Sequence, residues 1–110
     1  MGARREMIRE SNQAEELAQA ATDAAAVSVQ AKMFIDAIQK RSANRQAAIS
    51  MAEQELKQAR IKLSEIRSAY IGSPYFFGFE IRGAHHAAVQ CCVSAVQLWE
   101  AALVIANRLP

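Results

Sequence analysis

Residues 3–71 contain neither glycine nor proline. A run of 69 positions without the two strongest breakers leaves the backbone few ways to turn sharply, so it must cover most of that distance as helix. The residues filling it are largely Ala, Gln, Glu, Lys and Arg, which lose least on entering a helix. Alanine alone supplies 23 of the 110 residues, and only four Gly and two Pro are present, so the turn chemistry of an all-β fold is missing. The chain reads as all-α and as a single domain over 1–110.

An apolar seam runs through this segment. Ile49, Ala52, Leu56, Ala59, Leu63, Ile66 and Tyr70 follow alternating steps of three and four. The same register extends back through Ile38, Ile35, Ala31, Ser28, Ala24, Ala21, Leu17, Ala14 and Met7. Two positions in seven make a narrow stripe that packs in coiled-coil fashion against a neighbour. Alanines bury little surface, so the stripe needs further helices beside it. Ser42 and Arg45 interrupt it. One reading is a single helix of about 67 residues followed by a short helix, roughly 100 Å long at 1.5 Å per residue. The favoured reading is an antiparallel hairpin, with helices at 14–41 and 43–71, residues 1–12 frayed, Ser42 or Asn44 as N-cap and Lys40 and Arg41 at a helix C-terminus.

Tyr70-Ile71-Gly72-Ser73-Pro74 reads as a helix end followed by a new start, and 72–83 as an aromatic, Gly-containing connector. Five of the seven aromatic residues fall in 70–79. A third helix is expected over 84–108. By angle, Val89, Cys92, Val96, Trp99, Leu103 and Ala106 share a face, beside Cys91, Leu98, Ile105 and Leu109; His86, Gln90, Ser94, Gln97 and Glu100 form a polar strip. The apolar arc spans about 200°, where an ordinary surface helix needs about 100°. Two alanine-lined neighbours are expected to leave part of it bare. The fold class is therefore a hairpin plus an apolar third helix, a three-helix bundle that self-associates or docks on a larger partner.

Several chemistries are weakly supported. The formal charge of +2 is too even to require nucleic acid or an anionic membrane. Residues 87–106 could span a bilayer by length, but Gln90, Gln97 and Glu100 make a soluble helix the better reading. The N-terminus lacks the apolar run of a secretory signal, and adjacent Cys91 and Cys92 read as reduced core cysteines, which suits the cytoplasm. His85 and His86 stand five to seven residues from those cysteines, outside the three- or four-residue spacing that lets one helix share a metal ion. Arg82 and His86 are one turn apart, with no second acid or base placed by spacing. Neither an enzyme, a cofactor nor a metal site is expected.

Two binding readings remain. The first is a protein–protein interaction module, such as an adaptor, secretion chaperone, filament subunit or inhibitor of a larger complex. It would bury the apolar helix face and the connector through Tyr75, Phe76, Phe79, Leu98 and Trp99, because aromatics dominate interface energetics. An alternative role for the connector aromatics is to plug one end of the bundle, with Phe77 and Ile81 buried under the first two helices. The second is a nucleic-acid accessory protein using Arg41, Arg45, Arg60 and Arg67, within a segment (32–71) whose net charge is +4. Acids interleave those cations, as on an ordinary solvated helix face.

Overall fold

A computed structural model describes residues 2–41, 43–69 and 78–110, with side chains described from residue 12 in the first segment and from 81 in the last. Three helices, α1 (Gly2–Lys40), α2 (Arg45–Ser68) and α3 (Gly78–Asn107), make up the fold, and no strand occurs among the described residues. The protein is an all-α three-helix molecule. Its extents of 63 × 19 × 15 Å describe a rod, whose length matches the roughly 58 Å of a 39-residue helix at 1.5 Å per residue.

The hairpin reading holds. Lys40 closes α1, and Asn44 opens α2 from an extended backbone (φ −71°, ψ 118°), its side-chain oxygen accepting the Ala47 N–H at 3.1 Å. Ser42 lies outside the described residues. At the far end of α2, the Ile66 carbonyl accepts the Ala69 N–H at 3.2 Å, and His85 Nε2 lies 2.7 Å from the same oxygen. A carbonyl only accepts, so that ring nitrogen carries the proton.

Helical geometry departs from expectation at two ends. The backbone is helical from Gly2 onward rather than frayed over 1–12, and α3 starts at Gly78, six residues before the expected start at 84. Gly83 passes through the helix although a mid-helix glycine costs about 1 kcal/mol. The extra turns carry Ile81 into the core, at zero exposure beside Leu17, Ile66 and Ala88, and burial of an isoleucine is worth about 1.5–3 kcal/mol.

The three core clusters set the topology. Leu17 and Ile66 meet Ile81; Ala31 and Leu56 meet Trp99; Ile38 and Ala48 meet Ala106. The helices therefore run up, down and up. Helix α3 lies along both of the others, whereas α1 and α2 make little direct contact with each other. Among the described residues, ten of the 18 buried apolar side chains are alanine, so the axes approach closely and each contact buries little. Trp99 supplies the bulk: 2% exposed, its ring centroid lies 5.3 Å from that of Phe34, and its indole N–H donates to the Val27 carbonyl at 3.2 Å.

Candidate functional site

The 200° arc of α3 packs against α1 and α2. Its residues are accounted for inside the protomer: Ile81, Ala88, Cys92, Ala95, Val96, Trp99, Ala102 and Ala106 are buried. Val89, Cys91, Leu98, Leu103, Ile105 and Leu109 at its margins are half-buried. The polar strip of His86, Gln90, Ser94, Gln97 and Glu100 faces outward, as read from the sequence. A helix lying between two neighbours needs an apolar arc about twice the usual width, and α3 has one. The expected bare stripe on α3 is not there; Val104 is its one large apolar side chain exposed to solvent among the described residues.

The residues singled out for a partner separate accordingly. Trp99 is committed to the protein's own core, and Leu98 is half-buried at the edge of the cluster around it. Tyr75, Phe76 and Phe77 lie outside the described residues; Phe79 falls in the first turn of α3, and its side chain also lies outside them. Of the arginines, Arg45 donates Nε–H to the Asn107 carbonyl at 3.2 Å, where a cation suits the C-terminus of α3. Arg41, Arg60 and Arg67 are exposed, and Glu53 and Glu65 are exposed among them on α2.

The His and Cys residues do not converge. His85 is half-buried and engaged with Ile66, His86 is exposed, and no group of three His, Cys, Asp or Glu side chains that could hold a metal ion occurs among the described residues. Both cysteines are free thiols. Burial, then the neighbouring Cys91, push the Cys92 thiol above its ordinary pKa, with Lys62 opposing. A thiol held protonated is a poor nucleophile.

Where α1 and α2 part, a cleft of about 300 Å³ opens between them, floored by Cys92 and Ala95 and rimmed by Asp23, Glu55 and Lys62. The floor is closed, since Cys92, Ala95 and the flanking Ala24 and Ala59 are all buried. Helix 81–107 is also long and apolar enough to cross a membrane by length and composition alone, but its apolar arc is the one occupied by α1 and α2.

A surface the seam count overlooked lies on the back of α1. Opposite the buried stripe, Ala18, Thr22, Ala25, Ala26, Val29 and Met33 are all exposed, Val29 at 53% and Met33 at 66%. The Thr22 hydroxyl donates to the Ala18 carbonyl at 3.1 Å, so even this polar group is satisfied within the helix. From 17 to 35 the chain carries only two charges, Asp23 and Lys32, and by angle both stand at the flanks of this face rather than on it. Gln19, Asp23, Gln30 and Lys32 keep the flanks polar, and a contiguous uncharged outer face beyond the buried stripe is the kind of patch that marks an interaction surface. The signal was available in the sequence: it is the scarcity of charge over 17–35, not the heptad.

Comparison with protein-family models, curated proteins and solved structures finds no match for this chain. The class defined so far is thus architectural: a three-helix all-α rod with one uncharged outer helix face.

Proposed function

We propose that the chain is a non-enzymatic helical interaction module, and that its docking surface is the outer face of α1 rather than α3. One observation carries this reading: α1 borders solvent through some 22 Å (residues 18 to 33 at about 1.5 Å per residue) with no charged side chain on that face. Partner association would bury Val29 and Met33 over a bed of alanines that lets another backbone approach closely. Two free thiols fit a reducing, cytoplasmic setting.

The test is a photo-crosslinking amino acid placed in turn at Val29, Met33 and Ile61 of the full chain in living cells. Discrete adducts from the first two positions and none from Ile61, an exposed residue on α2, are the expected pattern. Diffuse or absent adducts at Val29 and Met33 would remove α1 as the docking face.

A further inference from the structure

We infer that the occupant of this face is a second copy of the same chain, its α1 lying antiparallel across the first. The inference rests on the docking reading above and names the partner. Charge along residues 12–41, the stretch centred on the bare face, carries it. Residues 12–26 hold Glu15, Glu16 and Asp23, a net of −3; residues 27–41 hold Lys32, Asp36, Lys40 and Arg41, a net of +2; residues 2–11, with Arg4, Arg5, Glu6, Arg9 and Glu10, pass beyond the end of the second copy's α1 in the register given below. All seven charged side chains within 12–41 are exposed. Parallel pairing would set acid against acid and base against base. Antiparallel pairing sets each acidic half on the partner's basic half, at both ends at once, because a two-fold contact repeats every pair.

The register follows from the ends of the uncharged face. Glu15 and Lys40 lie on the outer side of α1 beyond it, one at each end, with Asp36 between the face and Lys40. A two-fold axis at the level of residues 27–28 brings Glu15 opposite the second copy's Lys40, with Glu16 near its Arg41. The same axis sets Met33 opposite Thr22 and Val29 opposite Ala26, large against small, as close helix packing requires. Asp36, now 3.2 Å from Lys40, leaves that lysine exposed and free to share. Such an ion pair within one exposed helix is worth little and does not compete strongly. A single helix pair sits at the small end of stable interfaces, so the dimer forms and dissociates with concentration.

Light scattering on the purified full chain is the measurement, because mass rather than elution volume is insensitive to the rod shape. The mass should rise with concentration toward twice the 12.1 kDa of the monomer. Met33→Glu should weaken dimerisation at least about thirtyfold if Met33 anchors the contact. Glu15→Lys alone and Lys40→Glu alone should each weaken it about tenfold, and the double exchange should restore it. A folding defect cannot produce that rescue. A monomer at every concentration overturns the self-pairing, as does a dimer indifferent to Met33→Glu or a charge exchange without rescue. Where self-pairing fails, adducts at Val29 and Met33 of a mass other than twice the monomer would leave the docking reading standing; absent adducts would end both.

Discussion

Helices α1 and α2 hold equivalent places in the fold, and their outer surfaces differ. Each lies at an edge, packed on α3 and little on the other. Each needs only a single apolar stripe. Among the described residues, both expose two large apolar side chains, Val29 and Met33 on α1 and Met51 and Ile61 on α2, but on α2 charge surrounds them: Arg45, Glu53, Lys57, Arg60, Lys62, Glu65 and Arg67 are exposed along its 24 residues. The middle of α1 has the same single neighbour and leaves its back uncharged. Because α2 shows what an edge helix of this protein looks like when it faces water, the bareness of α1 is not explained by the fold. The docking proposed for this face would account for it.

That contrast depends on α3 separating the two edges, which gives the largest expected effect. Trp99 touches Phe34 on α1, donates to the α1 backbone at Val27, and lies in one cluster with Ala52, Leu56 and Ala59 of α2. Trp99→Ala should cost about 3–5 kcal/mol, the usual range for emptying an aromatic core site, read as a drop in the urea midpoint. In a core that is more than half alanine, Phe34 and Leu56 can refill the space only in part. A loss under about 1 kcal/mol would mean that α1 and α2 close on each other, and they would then no longer count as separate edges.

Much of this architecture was legible beforehand, and the failures have physical causes. The α2 seam is buried at Ala52, Leu56, Ala59 and Ile66, with Ile49 and Leu63 half-buried, because a heptad on a helix of good formers has one sensible orientation. Asn44 is visible as a cap because its short carbonyl reaches back to a free N–H. The start of α3 was not visible: Gly78 and Gly83 read as breakers, and the burial of Ile81 beside Leu17 and Ile66 helps offset their cost. The width of the α3 arc was measured correctly and assigned wrongly. How much apolar arc a helix can use depends on how many neighbours it has, and local sequence does not state that α1 and α2 stand apart. On α1 the reverse occurred, since following one heptad register draws attention away from the opposite face.

A smaller effect tests the interior shared by all three helices. The Cys92 thiol has a raised pKa in the folded protein, with burial the main cause. A thiol whose proton is held more tightly when folded contributes stability in full below its unfolded value, about 8.5, and loses it as pH rises beyond that. Stability measured from pH 7 to 10 should therefore fall more steeply for the natural chain than for Cys92→Ala, whatever their difference at neutral pH. Parallel curves would show that water reaches the sulfur, and that the cleft between α1 and α2 is open at its floor.

The smallest expected effect sharpens the contrast between the edges most directly. Met33 on α1 and Ile61 on α2 are both large, apolar and exposed, at 66% and 50%. In dilute protein, where the chain is monomeric, Met33→Glu and Ile61→Glu should each change unfolding free energy by no more than about 0.5 kcal/mol, as at other open surface sites. Concentrated protein should part them: Met33→Glu lowers the midpoint relative to the natural chain, because it forfeits the stabilisation that association adds by mass action, and Ile61→Glu does not. If the two variants stay together at every concentration, the backs of α1 and α2 are thermodynamically alike, and the missing charge on α1 has no binding consequence.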